Sequence, residues 1–110
     1  MPKTLADFKQ YIDHGHFPTN KNYRPWIIRH LALARDHEST LDAMVAAYRD
    51  KPGPKLPVRT RFRNQPLRVL LDHGMISSAS PDIYRLNAKL TPAEISELVS
   101  YCDNWLRSHP

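Results

Sequence analysis

Cysteine is nearly missing from this chain. Cys102 is the single one in 110 residues, which excludes an internal disulfide framework and points to a reducing, cytoplasmic setting. Glycine is scarce too, at three residues, too few for a phosphate-cradling or cofactor loop. Neither a nucleophile elbow nor a paired-carboxylate nuclease pattern occurs. No cofactor and no catalysis by the chain itself are therefore expected. No apolar run approaches the roughly 18 residues of a membrane span, and the N-terminus lacks a signal peptide's apolar core. His14-Gly15-His16 is the nearest approach to a metal motif. With one cysteine and four other scattered histidines, no ligand set has recognisable spacing, and no metal is expected.

Acid is also missing from one particular place. Between Lys51 and Leu71 there are six basic residues (Lys51, Lys55, Arg59, Arg61, Arg63 and Arg68) and no acidic one. The net charge is +5, with 16 basic and 11 acidic residues, so the remainder holds 10 basic against 11 acidic. The whole positive excess thus lies in one stretch, as binding to a polyanion requires. Elsewhere the composition is ordinary: 41% hydrophobic and 25% charged describe one globular domain, not a disordered chain.

Taken in order, Thr4–His14 reads as a helix, with Thr4 and Asp7 as a capping box and Leu5, Phe8 and Ile12 on one face. Gly15 is its stop. After a polar linker, Pro25 sets the start of a second helix that runs from about Tyr23 to Arg35, since proline is tolerated only in a first turn. Its apolar face is Trp26, Ile27, Leu31 and Ala34, with Ile28 beside it. Asp36-His37-Glu38-Ser39 is a short charged connection. Ser39 is the expected cap of a third helix, Thr40 to about Asp50, that turns Leu41, Met44, Val45 and Tyr48 inward.

Lys51–Pro57 (KPGPKLP) forbids helix and forms a stiff loop. Val58, Thr60 and Phe62 then alternate with Arg59, Arg61 and Arg63, the period of an extended segment. Pro66 places the next helix from about Asn64 to His73, with Leu67, Leu70 and Leu71 buried and Gly74 as its stop. Met75-Ile76-Ser77 and Ile83-Tyr84-Arg85-Leu86 read as a hairpin, with Pro81-Asp82 at the centre of a type I turn. Thr91-Pro92-Ala93-Glu94 is a capping box that opens a last helix through about Arg107. The expected fold is mainly α with a small β-hairpin.

The pieces TLDAMVAAYRD, PLRVLLDHGMI and DIYRLN, in this order, resemble a winged helix-turn-helix DNA-binding domain. The resemblance covers roughly Tyr23–Leu86, with helices 4–14 and 91–107 as flanking extensions of a single domain 1–110. The N-terminal helix and the opening before the first core helix are similar to modules attached to restriction endonucleases. The resemblance implies double-stranded DNA as partner, with a fused or associated nuclease domain. A small transcriptional regulator and a winged-helix protein–protein module are the alternatives.

On that reading Arg59, Arg61, Arg63 and Arg68 contact phosphates and guanine edges, which suits the forked guanidinium. Asn64 and Gln65 read adenine or only cap the helix. Ser77, Ser78, Ser80 and Arg85 form a wing against the backbone, or an ordinary polar hairpin. Lys21, Asn22 and Arg24 meet a phosphate at a helix start. Phe62 reads as a core anchor in preference to an intercalating wedge. A protein–protein module would use Trp105 and an acidic back formed by Glu94, Glu97 and Asp103; the other reading of Trp105 is core cover. A single-strand binder would stack bases on Phe62 or Tyr84. Cys102 reads as inert core.

Overall fold

The computed structural model describes residues 2–14, 23–49 and 63–108. Among them are five α-helices and a three-stranded antiparallel sheet. Helix α1 (Leu5–His14) is opened by the expected box: Thr4 N–H donates to the Asp7 carboxylate at 2.8 Å and Asp7 N–H to the Thr4 hydroxyl at 3.2 Å. Those bonds hold the Asp7 carboxyl below its ordinary pKa, the bond to the Thr4 backbone foremost.

Helix α2 (Tyr23–Leu33) carries Pro25 in its first turn and stops two residues short of the expected end. A 3-10 turn, Arg35–His37, follows, in which Asp36 and His37 both have φ of 56°. Two successive non-glycine residues in the left-handed region are costly alone. Here the His37 ring nitrogen Nδ1 lies 3.0 Å from the Ala32 carbonyl and the His37 N–H donates to Ala34 at 2.9 Å, which hold the reversal.

The reversal delivers β1 (Glu38–Thr40), an element not anticipated. Helix α3 (Leu41–Arg49) begins immediately after it. The cap of α3 is Thr40, not Ser39: the Ala43 N–H donates to the Thr40 hydroxyl at 3.1 Å. Ser39 lies in the strand, with its hydroxyl 3.1 Å from His30 Nε2.

The next helical stretch starts at Arg63, with a π-helical turn (Arg63–Leu67) that contains Pro66 and runs into α4 (Arg68–Asp72). Pro66 sits where the missing N–H leaves no helical bond unmade. Gly74, at φ +73°, closes the helix as expected. Its N–H donates to Leu71 at 3.0 Å and that of Met75 to Leu70 at 3.0 Å, the paired bonds of a Schellman cap.

Strand β2 (Ile76–Ser80) is longer than expected, and β3 (Ile83–Leu86) returns beside it. Only Pro81 and Asp82 are left at the tip. Asp82 has φ of 61°, which excludes the expected type I turn and fits type II, where the residue after proline has positive φ. The sheet order is β1-β3-β2. Partners run Glu38–Arg85, Ser39–Tyr84 and Thr40–Ile83 on one side, Ile76–Leu86, Ser77–Arg85 and Ser80–Ile83 on the other, with a shift of register between Ser77 and Ser80. The N-terminal segment joins the base of the hairpin, where Lys3 N–H donates to the Asn87 carbonyl at 2.7 Å.

Helix α5 (Pro92–Ser108) opens on the expected box, with Thr91 N–H to the Glu94 carboxylate at 3.0 Å and Glu94 N–H to the Thr91 hydroxyl at 3.1 Å. It packs along α2 and α1. One core results: Phe8, Ile12, Ile27, Ile28, Leu31, Leu41, Met44, Leu67, Leu70, Leu98 and Cys102 are all 0% exposed. Trp26 bridges α2 to α3 by meeting Tyr48 edge-on at 4.7 Å. Cys102 is core, and burial pushes its thiol up to about 12.

Candidate nucleic-acid interface

Arg59, Arg61 and Phe62 lie outside the described residues, as do Lys21, Asn22 and the Gln65 side chain. Arg63, Asn64, Arg68, Ser77, Ser78, Arg85 and Arg24 are described. The fold brings most of them onto two adjoining pieces. Leu67 and Leu70 bury the inner side of the π turn and α4, so Asn64 and Arg68 face outward and are exposed. The hairpin follows directly. Tyr84, Leu86 and Ile76 turn to the core, so the strand alternation puts Arg85, Ser77 and Glu38 on the solvent face.

Two of the described arginines of this surface stand beside a carboxylate, and a third lies across the sheet from one. Arg63 Nη1 lies 3.4 Å from Asp82 Oδ1 at the tip of the hairpin. Arg68 Nε lies 3.3 Å from Asp72 Oδ1, one helical turn on. Arg85 has Glu38 directly across from it in the sheet. The three acids come from an α-helix, a turn and a strand, and none of the three was expected beside an arginine. Asp72 had a signal, the i,i+4 spacing to Arg68. Asp82 and Glu38 had none, because the contacts depend on how the strands pair.

Compensation of this kind does not disable an arginine. The Arg68 and Asp72 side chains are 70% and 63% exposed, and such pairs are worth about 0.2–1 kcal/mol. A guanidinium has five N–H donors in a fork, so one edge can face a carboxylate while another faces a phosphate.

Three assignments change. Arg24 is only 4% exposed, with its guanidinium carbon 5.9 Å from the centre of the Trp105 ring. Burial lowers its pKa, opposed by Tyr11 and Asp13. It packs between α2 and α5 and is not a surface phosphate ligand. The Ser78 hydroxyl lies 2.7 Å from the Ser80 carbonyl and 2.8 Å from that of Ile83. Its one hydrogen is committed to the hairpin's own backbone, whereas Ser77 is exposed and pairs across the strands with Arg85. Tyr84, at 4% exposed, offers no face for stacking a base.

The acidic back is likewise compensated. Glu97 pairs with Lys9 of α1 and Asp103 with Arg29 of α2, while Glu94 serves the cap. Tyr101 donates to Asp13, a bond that, with burial, raises the tyrosine to about 12. Trp105 is half-buried against the core. These contacts fasten α5 to its neighbours.

A separate shallow groove of about 230 Å³ is lined by Lys3, Asp7, Gln10, Tyr11, His14, His73 and Met75. Tyr11 and His73 rings meet there at 5.4 Å. Among the described residues, no group of three or more His, Cys, Asp or Glu side chains could hold a metal ion, and no helix is long and apolar enough to cross a membrane. Comparison with family models, curated proteins and solved structures gave no match.

Proposed function

We propose that the chain is a winged-helix module that binds double-stranded DNA and has no activity of its own. The observation that carries the reading is the sheet order. A strand from between α2 and α3 pairs on the outer side of the hairpin, and that hairpin directly follows a short helix with a polar outer face. Helix, strand, helix, helix, hairpin is the winged-helix order. The stretch that ends in that helix also contains the whole positive excess of the chain.

In this reading the π turn and α4 enter the major groove, which is about 12 Å wide and admits a helix. Asn64, Gln65 and Arg68 face base edges. Arg59, Arg61 and Arg63 grip the backbone on entry, while Ser77 and Arg85 touch it from the hairpin. The protein-assembly alternative is less favoured, since Trp105 is half-buried against the core.

Titration of a labelled duplex at several salt concentrations tests the proposal. With about five phosphates neutralised, the slope of log affinity against log salt is expected near −4 to −5. Replacing Arg59, Arg61 and Arg63 together by alanine should lower affinity at least about tenfold at low salt and flatten the slope. Salt-independent affinity, or unchanged binding by the triple variant, overturns the reading.

We further propose that the module serves target recognition for a restriction-type nuclease in preference to a free-standing regulator. A selection over randomised duplexes, in methylated and unmethylated pools, separates the two. Discrimination by methylation supports the nuclease role, and indifference to it supports the regulator.

A further inference from the structure

We infer that Asp82 is a built-in counter-charge that sets how strongly Arg63 grips a duplex backbone. The inference rests on the duplex-binding reading above. Asp82 occupies the tip of the hairpin and reaches across to the first residue of the helical stretch, with Oδ1 3.4 Å from Arg63 Nη1. That contact is looser than the 2.7–2.9 Å of a tight charge-assisted hydrogen bond, and the two side chains are 42% and 32% exposed. A phosphate oxygen can therefore take over the Arg63 fork.

The carboxylate can withdraw only as far as its own short side chain allows. The Asp82 backbone is held in the two-residue turn at φ 61°, and its carbonyl accepts the N–H of Leu41, the first residue of α3, at 2.8 Å. Asp82 therefore remains near any phosphate bound to Arg63 and repels it. Backbone contact supplies essentially all non-specific affinity and only part of specific affinity. The carboxylate thus lowers affinity for any duplex whose backbone Arg63 grips, and so sets the strength of that grip.

The substitution that tests this is Asp82→Asn, which removes the charge, keeps the size and tolerates positive φ. Asp82→Gly serves as a second variant, compatible with the same backbone. Binding of the full chain to a random-sequence duplex is measured by fluorescence anisotropy across salt, in wild-type and Arg63→Ala backgrounds. Thermal melting checks that each variant is folded.

The expected result is a gain of about three- to tenfold at low salt and a salt slope steeper by up to about 0.9. In the Arg63→Ala background the gain should shrink below about twofold, because the effect acts through that side chain. Wild-type binding with no gain in either Asp82 variant, or the same gain without Arg63, overturns the inference and leaves the duplex reading intact. No duplex binding by any of the proteins overturns the reading, and the inference with it.

Discussion

His30 shows how one half-buried side chain ties stability to pH. Its ring stacks on Trp26 at 5.1 Å between centres, and Nε2 lies 3.1 Å from the Ser39 hydroxyl. Burial, and secondarily Arg29, lowers its pKa from the ordinary 6.5. A histidine depressed in the folded state leaves the unfolded chain with more bound protons just below pH 6.5. Its contribution is complete above the unfolded pKa and is lost as pH falls through that value towards the folded one. The denaturant midpoint should therefore drop between about pH 7.5 and 5 in the wild type, and drop less in His30→Gln. Equal pH dependence in the two proteins would show that this histidine is not responsible. Arg24 teaches the opposite lesson at the same scale. Beside Pro25 at a helix start it had every local mark of an exposed cation. Trp105, from the far end of the chain, covers it.

Among the elements, those announced by local chemistry were legible. Both capping boxes were readable because the residues that satisfy the first N–H groups lie three positions apart. Gly74 was equally plain, since only a residue tolerant of positive φ closes α4 as it does. Strand β1 was not legible: three polar-leaning residues acquire strand character only by pairing with β3, far along the sequence. The candidate site divides in the same way. The exposed residues of α4 follow from the leucine spacing, whereas the carboxylates set against the arginines follow from pairing and turn geometry. The box at Thr91 allows a direct check of the local part. Thr91→Ala removes the hydroxyl that accepts the Glu94 N–H at 3.1 Å and should cost about 1 kcal/mol, or a melting temperature lower by several degrees. A melt unchanged within error would mean that packing, not the cap, fixes the start of α5.

At the scale of the molecule, α1 and α5 are better regarded as part of the core than as extensions around residues 23–86. Phe8 and Ile12 from one, and Leu98 and Cys102 from the other, are 0% exposed and belong to the same cluster as the α2, α3 and α4 side chains. The ion pairs Lys9–Glu97 and Arg29–Asp103 and the Tyr101–Asp13 bond cross the same boundaries. Burial of one leucine contributes about 1.5–3 kcal/mol, and α5 adds half-buried Ile95, Val99 and Trp105. The helix also covers apolar surface on α1 and α2. Against a total stability of roughly 5–15 kcal/mol for a domain, that loss is comparable to the whole. A chain ending at Leu90 should therefore show no cooperative thermal transition and should bind a hydrophobic dye, even though the strands and α4 are intact in its sequence. Cooperative melting within about 5 °C of the full chain, where 1 kcal/mol moves a domain of this size by several degrees, would instead establish that the sheet and its helices are self-sufficient. The same truncation bears on the interface, because α2 is the helix that both α5 and the sheet pack against. If α2 loses its cover, the hairpin and α4 lose the frame that sets Arg63 against Asp82. Duplex affinity should then fall with the fold, although no residue of the proposed interface has been removed.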